Sequence, residues 1–132
     1  MSSAAMLDTH PSGTTPNRDA IARAIDATLT CSQTCTACAD ACLAEPDVAE
    51  MAHCIRDDLD CADVCQATSR VLTRQTADDA ALKRAVLEAC IQVCRACAVT
   101  CGEHRDHHEH CRICADTCED CAQVCQALLD AL

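Results

Sequence analysis

The sixteen cysteines of this 132-residue chain recur at helical spacing. Cys31, Cys35, Cys38 and Cys42 are separated by steps of 4, 3 and 4, and Cys90, Cys94, Cys97 and Cys101 repeat those steps. A helix advances about 100° per residue, so such steps return each thiol to one side, within about 60° of the others. Another segment repeats the frame as Cys54, Asp58, Cys61 and Cys65, and the last carries Cys111, Cys114, Cys118, Cys121 and Cys125. Every cysteine belongs to one of these four stripes. Three kinds of chemistry use such a stripe: plain packing, disulfide formation and ligation of a soft metal.

Packing alone explains a few cysteines, since free Cys is among the most buried residue types. No Leu or Val alternates with the thiols on the stripes themselves, so a core made this way would be poorly filled. Within one helix, thiols at i and i+4 point side by side, which suits no unstrained bridge; pairs between helices remain open to oxidation. Metal ligation fits better. The spacing differs from zinc ribbons, where C-x-x-C pairs sit on turns and four thiolates converge on one ion. Four separate Zn²⁺ sites of four thiolates would each carry a charge of -2, costly to bury along one axis. Sixteen Cu(I) ions on sixteen thiolates would instead be neutral, and Cu(I) prefers thiolate. The stripe from Cys31 to Cys42 is about 16 Å long, room for many ions rather than one centre. High capacity for Cu(I) is therefore the expected property, with a buffer for zinc or another soft metal as the alternative.

Four helices must position these stripes. The chain has no aromatic residue, 2 Gly and 3 Pro, and its 50% hydrophobic content is mostly Ala and Cys. That composition favours long uninterrupted helices. Residues 1–16 read as a flexible tail or a short terminal element, and residues 17–132 as one domain. Thr15-Pro16 predicts the start of the first helix, running to about residue 44 before Pro46. Asp47 and Glu50 predict a capping box for the second, which runs to about Arg74. Thr76 with Asp79 starts the third, to about Gly102, and Asp106 with Glu109 starts the fourth. Connections this short make neighbours antiparallel, so the expected fold is an all-α, up-down-up-down four-helix bundle with a cysteine-lined core.

This arrangement assigns each end. Ile21, Ile25, Val71, Leu72, Leu82, Val86, Leu87, Leu128, Leu129 and Leu132 collect at one end as an apolar plug. Leu43, Val48, Met51, His53, His104, His107, His108 and His110 collect at the other, a mouth rich in histidine. Cys42 is then near the mouth and Cys31 deep. Asp58 shares the register of Cys54, Cys61 and Cys65, which predicts a lumen position, although a hard carboxylate is a poor Cu(I) ligand; Asp57 and Asp60 are expected to face solvent.

The four striped helices and the run His104-Arg105-Asp106-His107-His108-Glu109-His110 resemble the bacterial cytosolic copper storage proteins over residues 17–132. The resemblance implies a lumen that stores many Cu(I) ions without turnover, usually in a homotetramer. It implies that the sixteen cysteines are the Cu(I) ligands, with the mouth residues His104, His108, His110 and Met51 assisting admission or holding outer ions, and Asp58 as a further candidate. Exported relatives carry a targeting peptide and more Met at the mouth; this chain matches the cytosolic branch more closely. The N-terminal residues show no basic n-region or apolar run of a secretory signal, and no stretch reads as about 20 apolar residues, so a cytoplasmic protein without a membrane partner is expected. A copper chaperone or other cytosolic donor is the expected protein partner.

Other functions fit less well. A net charge of -11 disfavours nucleic acid. A di-iron oxidase needs Glu-x-x-His on two helices, and only Glu50-x-x-His53 occurs. An iron–sulfur protein wraps four cysteines round a cluster, whereas these stripes string thiols along an axis. No thiol is singled out by a partner base, so no cysteine enzyme is expected.

Overall fold

The computed structural model describes residues 3–132; Met1 and Ser2, part of the expected tail, lie outside the described residues. The elements are α1 (Ser3–Asp8), α2 (Arg18–Leu43), a 3₁₀ turn (Val48–Met51), α3 (Ala52–Thr73), α4 (Ala80–Gly102) and α5 (Glu109–Ala131). The four long helices pack in a ring, α2 on α3, α3 on α4, α4 on α5 and α5 on α2.

Sulfur pairs across the ring fix the direction of α4 against α3 and of α5 against α2. Between α3 and α4, Cys54 meets Cys101 and Cys65 meets Cys90. Between α2 and α5, Cys31 meets Cys118 and Cys35 meets Cys114. Ascending order on one helix is descending order on the next, which is the antiparallel bundle expected.

The ends are built as expected, with particular exceptions. Ile21, Ile25, Leu72, Leu87 and Leu128 are buried and close the plug. Leu82, expected among them, is 47% exposed. One position on, Lys83 takes the inward site and carries its ammonium out to Asp78 Oδ1 at 3.1 Å.

Helix starts differ from the expected caps. The first long helix begins after Asn17, whose φ of 56° places it in the left-handed region, instead of on Thr15-Pro16. Asn tolerates that conformation because its short polar side chain can hydrogen-bond locally. Asp47 makes no side-chain cap to the 3₁₀ turn; its carboxylate is drawn to His108 instead, at 3.1 Å. Asp79, not Thr76, caps α4, accepting from the Leu82 backbone N–H at 3.0 Å.

Within the expected tail, Ser3–Asp8 form a helix. Leu7 buries itself in the core, Asp8 pairs with Arg18, and the Ser3 hydroxyl donates to Asp26 at 2.6 Å. These contacts dock it on α2, and six residues are too few to announce themselves by periodicity.

One helix departs from the expectation about apolar stretches: α4 is long and apolar enough, by length and composition, to cross a membrane. Cys and Ala supply 10 of its 23 residues, and the face bearing Cys90, Cys94, Cys97 and Cys101 is buried inside the bundle.

Candidate metal site

All sixteen cysteines are free thiols, and all are buried. Each stripe shares the buried face of its helix with the plug residues, Ile21 and Ile25 on α2, Leu72 on α3, Leu87 on α4 and Leu128 on α5. The sulfurs form overlapping sets of four whose ligand atoms lie within 4.8 Å of one another. Deepest of the named sets is Cys31, Cys65, Cys94 and Cys121; next come Cys31, Cys35, Cys61 and Cys118, then Cys35, Cys97, Cys114 and Cys118. Toward the mouth lie Cys38, Cys54, Asp58 and Cys101, and finally Cys38, Cys42, Cys54 and Cys111. Below the deepest set, Cys90 and Cys125 meet at 4.0 Å next to the plug. Sets share sulfurs within the deep three and within the outer two; Cys97 and Cys101 join these groups at 3.7 Å and Cys65 joins Cys90 at 3.7 Å, so the lumen is one continuous thiol column.

Asp58 is fully buried in that column. Its Oδ1 accepts from the thiols of Cys97 at 3.0 Å, Cys101 at 3.2 Å and Cys114 at 3.2 Å. Burial, with Cys114 next in weight, pushes its carboxyl up to about 8. A neutral acid is the cheaper form in a buried, thiol-lined space. Burial likewise raises Cys42 above the ordinary thiol range and pushes Cys111 up to about 12. At the closest sulfur–sulfur contact, 3.1 Å, hydrogen bonding with Cys101 lowers Cys54.

The mouth is made by two loops. The α2–α3 loop brings Glu45 and Asp47, and the α4–α5 loop brings His104 and His108, with His110 in the first turn of α5. His110 Nδ1 stands 3.4 Å from Cys38 Sγ and 3.6 Å from Cys111 Sγ. Its Nε2 is 3.3 Å from Glu45 Oε1. The ring of His108 stacks on it, with centroids 5.4 Å apart and planes at 18°. His108 Nδ1 lies 3.2 Å from Glu45 Oε2 and its Nε2 3.1 Å from Asp47 Oδ2. That contact holds the Asp47 carboxyl below the usual carboxylate range. His104 sits behind, its centroid 6.5 Å from His108.

A column of buried soft ligands, reached through imidazoles at one end, suits a thiophilic metal held in many copies. The sequence profile described as "Copper storage protein" matches residues 17–130.

The chain belongs to the copper storage protein family.

Two Streptomyces lividans structures are close in both sequence and fold. The copper storage protein Ccsp loaded with 10 copper equivalents is 53% identical, with a TM-score of 0.96 over 98% of this chain and 99% of that one. A structure of copper loading to a cytosolic copper storage protein, with five coppers, is 57% identical, with a TM-score of 0.86 over 86% of this chain and 95% of that one. The uncharacterized cysteine-rich protein YhjQ of Bacillus subtilis (strain 168) is 34% identical over 104 residues, 79% of this chain and 91% of that protein.

In this copper storage bundle the residues singled out by sequence divide clearly. The cysteines and Asp58 all reach the lumen. Cys42 lies in the outermost thiol set and Cys31 in the deepest named one, the polarity expected. Met51 is buried at the mouth end, in the 3₁₀ turn. Of the mouth histidines, His110 is the one whose ring touches thiols, while His108 is held by carboxylates. His53, expected at the mouth, is 71% exposed and its Nε2 turns to Asp57 at 3.4 Å. Asp57 itself is not solvent-facing as expected: it accepts from the Thr100 hydroxyl of α4 at 2.6 Å. Sequence reasoning missed Glu45 and Asp47 as mouth residues. The available signal was topological, since an antiparallel bundle puts the α2–α3 and α4–α5 loops at one end.

Proposed function

We propose that this bundle stores Cu(I) in the cytosol as clusters of bridged thiolates strung along its lumen, filled through the histidine mouth. The observation that carries this reading is the continuity of the column: shared sulfurs and sulfur–sulfur contacts run from Cys42 and Cys111 at the mouth to Cys90 and Cys125 at the plug. Neighbouring sulfurs a few ångströms apart can bridge two- or three-coordinate Cu(I), and one ion per thiolate leaves the interior neutral. Each thiol loses its proton as it binds, and that proton must leave with each ion stored. His104, His108, His110 and Met51 belong to the admission route in this reading, and Asp58 serves the clusters as a carboxylate ligand or thiol acceptor. Storage involves no bond-breaking chemistry, so no enzymatic turnover is proposed. The donor is a cytosolic copper carrier, and the bundles assemble as a homotetramer.

Anaerobic titration of the reduced protein with Cu(I), in competition with a chromophoric Cu(I) chelator, tests the reading. Uptake near the thiol count, undiminished by an equal load of Zn²⁺, supports it. Saturation at four ions or fewer, or displacement of Cu(I) by Zn²⁺, rejects it.

A further inference from the structure

Glu45 uses both carboxylate oxygens on imidazoles, Oε1 on His110 Nε2 at 3.3 Å and Oε2 on His108 Nδ1 at 3.2 Å. An ionised carboxylate can only accept, so the first contact places the His110 proton on Nε2. A neutral ring then has its lone pair on Nδ1, the nitrogen that stands 3.4 Å from Cys38 Sγ and 3.6 Å from Cys111 Sγ. His108 is placed differently. Both of its nitrogens face carboxylate oxygens, Glu45 on one side and Asp47 on the other. In that pose it offers no free lone pair to a metal, and it braces Glu45 while stacking on His110.

We infer that Glu45 is a positioning residue: it sets the tautomer and direction of His110 so that Nδ1 is the atom that passes Cu(I) to Cys38 and Cys111. His108 and Asp47 hold Glu45 in place and are not themselves the transfer ligands. The inference rests on the proposal that copper is admitted at the histidine mouth. Nothing about Glu45 in the sequence, a lone acid before Pro46, marks it out; the pairing exists because two loops meet over one end of the bundle. Carboxylates that orient metal-binding imidazoles typically matter 10–100-fold to affinity or activity.

The test measures Cu(I) loading from a Cu(I)–bicinchoninate complex by stopped flow on full-length reduced protein. The variants are Glu45→Ala, Glu45→Gln, His110→Ala and Glu50→Gln, the last removing an exposed acid of the 3₁₀ turn at the same end. Glu45→Ala is expected to slow the first loading phase about tenfold, with final copper capacity unchanged, and Glu45→Gln, which keeps one acceptor, to fall between it and the parent. In ¹⁵N spectra of the apoprotein His110 is expected as the Nε2–H tautomer in the parent and as a mixture in Glu45→Ala, a change that loss of packing alone would not give. Because Glu45→Gln preserves the shape of the side chain, it carries the test if Glu45→Ala folds poorly. If His110→Ala slows loading but both Glu45 variants load like the parent, the positioning role is overturned and the mouth reading stands. If His110→Ala itself loads at the parent rate, the mouth reading fails. Equal slowing by Glu50→Gln would assign the effect to charge at the mouth and overturn the inference.

Discussion

The Cys97 thiol donates to Asp58 Oδ1 at 3.0 Å inside a lumen otherwise lined by sulfur. Cys101 and Cys114 share that oxygen, each at 3.2 Å, so one buried carboxyl organises thiols from two helices. The apoprotein therefore stability-links to pH through Asp58. Its folded value, about 8, stands above the ordinary 3.8. Below the ordinary value both folded and unfolded forms are protonated and Asp58 costs nothing. As pH rises from about 4 towards about 8 the unfolded chain ionises first, so the folded form binds more protons and stability falls. Asp58→Asn keeps an oxygen that can accept from the same thiols and removes the ionisation. It should stabilise the apo bundle by roughly 1–3 kcal/mol at pH 8 and flatten its pH profile above pH 4. Thermal unfolding from pH 4 to 8 under reducing conditions reads this out; an unchanged slope would contradict it.

Copper uptake should acidify its surroundings. Burial holds Cys42 and Cys111 above the ordinary thiol range, so both enter loading as neutral thiols at pH 7. About one proton per ion should appear in a weakly buffered titration, and the apparent Cu(I) affinity should weaken by up to about tenfold for each pH unit lost, per thiolate proton displaced. Proton release followed with an indicator dye checks the count.

Copper should also stiffen a core short of large side chains. The lumen holds small thiols, and Ile21, Met51, Leu72, Leu87 and Leu128 are the large apolar groups among its best-buried residues. Binding to the folded form alone raises stability by mass action, so the melting temperature should climb stepwise with copper added and return when a strong Cu(I) chelator strips it. Calorimetry in the two states measures the difference.

The plug should be separable from the store. Leu128 is completely buried beyond the last thiols, so Leu128→Ala should cost the apo bundle roughly 2–5 kcal/mol through the cavity it leaves. Copper capacity should remain that of the parent, because no sulfur moves out of the column. Cys90→Ser with Cys125→Ser should do the opposite, trimming capacity at the deep end while leaving the initial loading rate at the mouth unchanged.

The cysteine stripes were legible because helical period alone decides which residues share a face, and sixteen thiols in phase leave little freedom. Asp58 was placed by the same logic, its register matching Cys54, Cys61 and Cys65. What could not be read was whatever depends on loops. Asp47 has the spacing of a helix cap with Glu50, yet it serves His108. Glu45 carries no pattern at all and reaches the mouth only because α2 and α4 end on the same side. At the other end, Leu82 was expected in the plug but is exposed, and Lys83, one residue on in a first turn capped by Asp79, lies inward. Asp57 was set in solvent by its neighbourhood of acids, whereas a single hydroxyl, Thr100, reaches it from the facing helix.

The central claim, that the thiol column is the store, is met most directly by anomalous diffraction at the copper edge from crystals of the Cu(I)-loaded protein. The account predicts copper peaks distributed along the whole lumen, from the set around Cys38, Cys42, Cys54 and Cys111 down to Cys90 and Cys125, each within bonding distance of cysteine sulfur. Copper confined to the histidines of the mouth, or to one isolated site with the remaining thiols bare at saturation, would contradict it.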